Sequence, residues 1–457
     1  MKGCSGRGLQ GPESLTSSAQ DESALHKRQC EACVFSRPVW TMRVLATIRR
    51  VEYIELVALF FIHAMAMGVW FVPLSAVLDA NGYHAIKPYA FAASGVAAFI
   101  SPLVFGAMAD RHVSPVIVLR GLALATAVSM GLATTAIKIH TSPWLVLALI
   151  QLHALCSAPT WSITNTIVLA RLRNTQQEFG RLRAMATFGW MTGCWIISGI
   201  GADSSSMAGY TGVIIWLIVA SFTFALPSVS PPKSAANLTL SQRMGWDALS
   251  LLKNRDHRVV FITAALFNAT VASLFPFTPP HLAELGFNHI TAWMSLAQVT
   301  EILAMFALAG MLSNWRLKWI IGTGLILGAL RYALCAMNGK YWLLAGLTLH
   351  GCTFTLVLIT AQIYVDQRVD PTWRARAQAL MSLMTSGFGN LLGYLGTGWW
   401  FNATTTSAGD ARWPIFWSGI GIAASLVLVY FFVAYHGRGT SPKHVETAGC
   451  ATDEKGL

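Results

Sequence analysis

Glu301 is the one acidic residue near the middle of any long apolar stretch of this chain, and Gln298 lies three positions before it, on the same helical face. An ionisable group at membrane depth costs roughly 2.5–3.5 kcal/mol at a helix centre on insertion scales. A carboxylate accepts hydrogen bonds from two vicinal hydroxyls at once, and an amide both donates and accepts. The pair therefore suits a neutral polyol bearing a heterocycle; the plainer alternative is a structural Glu tied to a neighbouring helix. Arg183, Thr187 and Trp190 recur at i, i+4 and i+7, a single stripe of cation, hydroxyl and aromatic ring. Such a stripe is poor lipid-facing surface, so it should face protein or a cavity, where Trp190 can stack on a ring. Arg183 would then pair with Glu301 or bind a ligand, unless it only anchors the helix at the interface.

Two histidines stand out beside these. His350 is followed at i+4 by Phe354, and His63 precedes Met67, Gly68, Trp70, Phe71 and Pro73. Imidazole titrates near neutrality, which suits proton exchange, so His63, His350 and Glu301 are the candidates for carrying a proton. A hydrogen-bonded packing role is the commoner fate of a lone intramembrane histidine. Arg331 lacks an obvious partner, and a structural ion pair is expected for it. Gly106-Ala107-Met108-Ala109-Asp110-Arg111 closes another apolar stretch; a glycine there lets two helices approach, and the Asp-Arg pair reads as gating hardware.

Other chemistry is not supported. The sequence has no G-x-x-x-x-G-K-[ST] loop to hold ATP phosphates, and neither H-E-x-x-H nor G-x-S-x-G for hydrolysis. The eight cysteines form no disulfide framework, and Cys30-x-x-Cys33 stands without the further ligands that zinc requires. No enzyme activity, cofactor or metal is expected. The net charge of +12 does not indicate nucleic acid, because no basic domain stands apart.

The elements that must position these residues follow from composition. Of 457 residues 54% are hydrophobic and only 11% charged, under half the roughly 25% charged residues of soluble domains. A soluble enzyme, a disordered scaffold and a coiled coil are excluded. Apolar segments of about the 20 residues needed to cross a bilayer cover 54–78, 88–109, 116–137, 143–169, 181–201, 208–228, 258–282, 290–312, 317–337, 341–366, 376–402 and 413–435. They are called segments 1 to 12 below. A polar tail (1–53), a linker (229–257) and a second tail (436–457) flank two sets of six, 54–228 and 258–435. With the N-terminus inside, 26 of the 32 Lys and Arg fall on the inner side, and only Lys87, Lys138, Lys340 and Arg412 lie outside. Both termini are therefore expected in the cytoplasm.

The halves repeat. Arg181-x-Arg183-Ala184-x-Ala186, then Met191-Thr192, matches Arg374-x-Arg376-Ala377-x-Ala379, then Met384-Thr385. Leu152-His153-Ala154-Leu155-Cys156 matches Leu349-His350-Gly351-Cys352. Segments 4 and 5 thus pair with 10 and 11, the parallel six-plus-six pattern of the major facilitator fold, whose loop signature G-x-x-x-D-R the Gly106–Arg111 stretch resembles. The expected class is an all-α polytopic membrane protein with twelve transmembrane helices in two six-helix pseudo-repeats.

Several stretches resemble the nucleoside:proton symporters of that superfamily. They are Gly68-Val69-Trp70-Phe71-Val72-Pro73-Leu74, Arg183-Ala184-Met185-Ala186-Thr187-Phe188-Gly189-Trp190, Gln298-Val299-Thr300-Glu301, and His350-Gly351-Cys352-Thr353-Phe354 with Gln362-Ile363-Tyr364-Val365-Asp366. The run from Pro371 through Arg374 and Ala379 to Gly389 matches as well, so the likeness covers about residues 54–435. The resemblance implies a nucleoside site built from Arg183, Thr187 and Trp190, with Gln298 and Glu301 opposite and an aromatic at Phe354. It also implies that Thr270 and Ser273 touch the base, where larger amides are usual. An acidic residue commonly follows the segment 10 aromatic and serves proton coupling; here that position is Thr355.

The expectation is thus a monomeric permease of the plasma or inner membrane that imports nucleosides by alternating access, with protons as the driving ion. A proton-linked or passive permease for sugars or other small solutes, or a solute sensor on the same fold, is the alternative. The charge asymmetry makes a direct prediction. In sealed cells, a membrane-impermeant thiol reagent should label Asp410→Cys and spare Ser234→Cys. Labelling at 234 would invert the topology.

Overall fold

The computed structural model describes residues 39–110, 113–172, 175–229, 239–243, 246–407 and 409–437. Among them the regular structure is helical, and the one β-bridge is isolated, between Thr405 and Ala411. Among the described residues eight helices are long and apolar enough to cross a membrane: Val51–Ala80, Pro115–Lys138, Pro143–Arg171, Arg255–Glu284, Ile290–Leu312, Leu317–Ala336, Lys340–Arg368 and Trp413–Ala434. They correspond to segments 1, 3, 4, 7, 8, 9, 10 and 12. Segment 6 is the shorter apolar helix Met207–Phe222. Segments 2 and 5 are the helices Lys87–Asp110 and Thr175–Gly199, and segment 11 runs as Arg374–Ser382 and Asn390–Thr404 around a π-helical turn.

Local chemistry sets the ends. Segments 3 and 4 each start at a proline that follows a serine, and the Ser142 hydroxyl accepts from the Leu145 N–H at 3.4 Å. Asn254 caps segment 7 by accepting from the N–H groups of Asp256 and His257, at 3.0 and 3.3 Å. The chain divides into two compact units, residues 1–56 and 57–457. In the first, helix already begins at Val39, inside the stretch read above as a polar tail. The linker carries the short helix Leu240–Arg243 and a 3-10 stretch Trp246–Lys253. Gly106 and Asp110 lie in the last turns of segment 2, while Arg111 falls outside the described residues.

Several helices are interrupted where they matter. Segment 1 breaks between Phe71 and Leu74 at Pro73, which lacks an N–H. Segment 7 breaks between Val271 and Leu274. The two continuations are tied by the Ser75 hydroxyl, which donates to the Pro276 carbonyl at 2.6 Å. Segments 10 and 11 hold π-helical turns at Thr355–Ile359 and Leu383–Gly389. Such turns swing side chains off the α-helical register and recur at functional sites.

One core is built by residues of segments 1–6, including Phe91, Met130 and Trp216, with Ala272 and Tyr394 reaching in from segments 7 and 11. Two others are built largely by segments 7–12, around Phe261, Phe267 and Phe431 and around Phe277, Phe416 and Trp417. Beyond the Ser75–Pro276 tie, the two sets of segments meet along two seams. Segment 2 packs on segment 11, with the Phe99 and Phe388 rings edge to face at 5.0 Å. Segment 5 meets segment 8, where Trp195 Nε1 donates to Ser295 Oγ at 3.0 Å.

Glycines permit the closest crossings. A Cβ at Gly189 would collide with the Phe61 carbonyl of segment 1, and one at Gly351 with the Glu301 backbone nitrogen and the Ala297 carbonyl. Small residues of this kind let membrane helices pack backbone to backbone. Gly351→Ala should therefore destabilise by about 1–3 kcal/mol, the usual range for overpacking, and lower the melting temperature of the detergent-solubilised protein. Gly396→Ala, where a Cβ meets nothing within 4 Å, should not. Equal melting temperatures for the two variants would show that the 8–10 crossing is not tight.

Candidate functional site

A cavity of about 350 Å³ lies between the two sets of segments. Its wall takes Met67 and Phe71 from segment 1, Trp161 from segment 4, and Arg183, Thr187 and Trp190 from segment 5. From the other side come Asn268 and Phe275 of segment 7, Gln298 and Glu301 of segment 8, His350 and Phe354 of segment 10, and Asn390 and Tyr394 of segment 11. Both stripes seen in the sequence thus face one space.

Glu301 and Gln298 are each only 8% exposed. No side chain among the described residues donates to the Glu301 carboxylate, so its acceptor capacity is left for whatever enters. Arg183 and Glu301 are the guanidinium and the carboxylate of the wall, yet no direct ion pair joins them. The Arg183 guanidinium lies instead over the Trp161 ring, 4.7 Å from its centroid, a cation–π contact that strengthens where water is excluded. The interfacial-anchor alternative for Arg183 does not describe this position. Trp190, Phe71 and Phe275 form an aromatic group, with ring centroids 5.0 Å apart for Phe71–Phe275 and 6.2 Å for each contact to Trp190. Phe71 and Phe275 flank the two helix breaks, which is why both rings reach the same spot.

Three sequence candidates lie elsewhere. Thr270 and Ser273 are buried off the cavity wall, their hydroxyls donating to the Phe267 and Thr270 carbonyls at 2.7 and 2.8 Å. The physical reason is the habit of helical Ser and Thr to bond back to the preceding turn. The amide of that helix that does face the cavity is Asn268. Its Nδ2 donates to Asn390 Oδ1 at 2.7 Å and to the Thr385 carbonyl at 2.9 Å, which leaves its own oxygen free to accept. His63 is fully buried behind Trp161, stacked on it at 5.6 Å and bonded through Nε2 to the Thr160 hydroxyl at 2.8 Å. It does not line the cavity. Thr355 is also buried off the wall, at the start of the π-helical turn.

His350 does line the cavity, but its Nδ1 is engaged by Arg331 Nη1 at 3.0 Å. Arg331 therefore pairs with a histidine where an acid was expected. Trp161, Asn268, Asn390 and Tyr394 were not singled out from the sequence. Uncharged amides inside apolar segments were the available signal for Asn268 and Asn390. Among the described residues no cluster of His, Cys, Asp and Glu could hold a metal ion.

An all-helical membrane chain whose two sets of helices meet along two seams around a polar, aromatic-lined cavity has the build of a secondary transporter. A sequence profile described as "Nucleoside H+ symporter" matches residues 52–439, and the chain belongs to that family. It is 33% identical over 353 residues to YegT of Escherichia coli (strain K12), covering 73% of this chain and 81% of the relative. It is 26% identical over 406 residues to the nucleoside permease NupG of the same organism, covering 83% and 95%. A crystal structure of nucleoside transporter NupG, of a mutant form, superposes with a TM-score of 0.77 at 24% identity, covering 84% of this chain and 100% of that one. The chain thus has the NupG fold.

The bare Glu301 carboxylate gives a test of what it reads. Losing a hydrogen bond to a charged group costs about 1.5–3 kcal/mol, about 10- to 150-fold in affinity. Glu301→Gln should weaken binding of uridine by that factor and of its dideoxy analogue much less, measured by titration of the purified protein. Equal losses for the two ligands would show that Glu301 does not contact the sugar hydroxyls.

Proposed function

We propose that the protein imports nucleosides across the plasma or inner membrane by alternating access, as a monomer of twelve spans in two six-helix halves, with both termini cytoplasmic. The observation that carries this reading is the composition of the cavity wall. An unpaired carboxylate and an amide, Glu301 and Gln298, stand within one space with Trp190 and Phe354, matching the hydroxyls and the ring of a nucleoside. The other half supplies donors from Arg183 and, from Thr187, a hydroxyl oxygen that can accept, and Asn268 and Asn390 supply amides for the base. The relatives named as a nucleoside permease and as a xanthosine permease support the same substrate class.

Proton symport is the driving step in this reading. His63 is walled off behind Trp161, and Thr355 has no titratable group, so coupling falls to Glu301, the one acid on the cavity wall. A coupling group must link its protonation to substrate affinity, because an ion that biases neither conformation drives nothing. A carboxyl that also holds the sugar meets that requirement. Bonds between the halves gather at the ends that the charge pattern assigns to the outside. The Thr291 and Ala292 N–H groups donate to Asp203 Oδ1 and Ser198 Oγ at 2.7 and 2.9 Å, and Ser75 reaches Pro276. In this reading the described conformation is closed outward, and Gly106, Asp110 and Arg111 belong to the opposite gate.

Uptake of a labelled nucleoside panel in cells lacking their own permeases, with and without an uncoupler, tests the proposal. Wild type should accumulate nucleoside above equilibrium and lose that gradient on uncoupling. Glu301→Gln should abolish accumulation while counterflow exchange stays measurable. Uptake that only equilibrates and ignores the uncoupler would make the protein a passive facilitator, with Thr355→Asp the substitution to restore coupling. Binding without any uptake would mark a sensor.

A further inference from the structure

Arg331 is 1% exposed in the C-terminal half of segment 9, and no carboxylate pairs with it among the described residues. Its guanidinium carbon sits 4.8 Å from the centroid of the neighbouring Tyr332 ring. That ring is pinned in turn, because Tyr332 Oη donates to the Thr270 carbonyl of segment 7 at 2.7 Å. Segment 10 is drawn close at the same level, since Gly346 abuts the Arg331 carbonyl at 2.9 Å from where its Cβ would stand. The guanidinium is thereby held in place, and among the described residues its one hydrogen-bond partner is His350 Nδ1 at 3.0 Å.

A guanidinium has only N–H donors and no acceptor. His350 Nδ1 must therefore be the acceptor of this bond and carries no proton. A neutral imidazole with a bare Nδ1 has its proton on Nε2; His350 lines the cavity, and its Nε2 is neither hydrogen-bonded within the described residues nor among the buried polar atoms left without a partner. An imidazolium would set two cationic donors 3.0 Å apart. The other charged groups facing this part of the cavity are Glu301 from segment 8, whose backbone abuts Gly351, and Arg183 from segment 5 across the space. Segment 7 contributes Asn268, which does not titrate.

We propose that Arg331 is a positioning residue that fixes His350 as a neutral Nε2–H donor at the cavity wall. His350 then offers the substrate one fixed donor, suited to a carbonyl or unprotonated ring nitrogen of a base, and takes no part in carrying the proton. The identity of the substrate rests on the nucleoside reading above; the tautomer does not.

Nitrogen-15 NMR of the full-length, histidine-labelled protein in lipid reads the tautomer directly, with His350→Gln identifying the signal. The expected result is a bare Nδ1 and a protonated Nε2 that persist from pH 8 to pH 5. A proton on Nδ1, or an imidazolium signal growing toward pH 5, would overturn the proposal, whether or not nucleosides prove to be the substrate. Arg331→Gln keeps a neutral donor for Nδ1 but removes the charge. Because glutamine accepts as well as donates, a share of His350 should then carry its proton on Nδ1, and nucleoside affinity should fall toward that of His350→Gln. An Arg331→Gln protein with the wild-type tautomer and binding profile would refute the positioning role of Arg331. His350→Gln should lower affinity by about 2- to 10-fold, the worth of one neutral hydrogen bond, with uncoupler-sensitive accumulation retained. Loss of accumulation with intact exchange in that variant would return His350 to the proton path.

Discussion

Keeping a carboxylate and two guanidiniums at membrane depth is the constraint on which the rest of the structure depends. Each of these groups is costly in hydrocarbon, and none is neutralised by a direct ion pair. The fold supplies substitutes one by one. Arg183 lies over Trp161, Arg331 lies beside Tyr332 and donates to His350, and Glu301 is left facing a cavity. The aromatic residues that flank the site are thus solvents for charge as much as surfaces for a ligand. Polar groups that fully satisfied one another would leave no reason for a solute to enter. Here the unsatisfied capacity is concentrated on Glu301 and Gln298, which is where a ligand rich in hydroxyls can supply what the protein withholds.

Precision at those groups comes from backbone contact. Gly351 lets segment 10 press against segment 8 at Glu301 itself, so the carboxylate and the His350–Phe354 pair stand on two backbones in direct contact. Gly189 does the same for segments 1 and 5, locking Arg183, Thr187 and Trp190 to the helix that carries Phe71. The breaks at Pro73 and after Val271 then turn Phe71 and Phe275 toward each other. Small residues at crossings and interrupted helices at the site are two solutions to one requirement. The backbone has to come close without exposing unsatisfied N–H and C=O groups to lipid.

What the sequence made legible follows from range. Stripes at i, i+4 and i+7 depend only on helical geometry, and Arg183, Thr187, Trp190, Gln298, Glu301, His350 and Phe354 all reach the cavity as their spacing required. Contacts between distant segments carry no such periodic signal. The Asn268–Asn390 bond spans 122 positions, and neither residue stood out alone. Thr270 and Ser273 were misplaced because a hydroxyl in a helix can satisfy itself on its own backbone, which no pattern announces. Arg331 was expected to find an acid, since charge balance is the usual rule at depth. A histidine held neutral and an aromatic face serve instead, and only three-dimensional placement reveals that choice. His63 looked titratable in the sequence, but it packs behind Trp161 with a threonine for company.

The division of the site between the halves bears on how a ligand can drive the cycle. Segments 1, 4 and 5 contribute a cation, a hydroxyl and rings, whereas segments 7, 8, 10 and 11 contribute the acid and the amides. A bound nucleoside would bridge the two sets, so its affinity depends on their separation. The two sets are also joined directly by contacts in which Thr291 and Ala292 reach Asp203 and Ser198, Trp195 reaches Ser295, and Ser75 reaches Pro276. Each such hydrogen bond contributes about 0.5–1.5 kcal/mol net, a few kcal/mol in all. Moving a two-state equilibrium from 1:99 to 99:1 takes about 5.5 kcal/mol of differential affinity. The summed worth of these contacts is of the same order as that differential affinity, the scale on which a ligand bridging the two sets of segments can bias them.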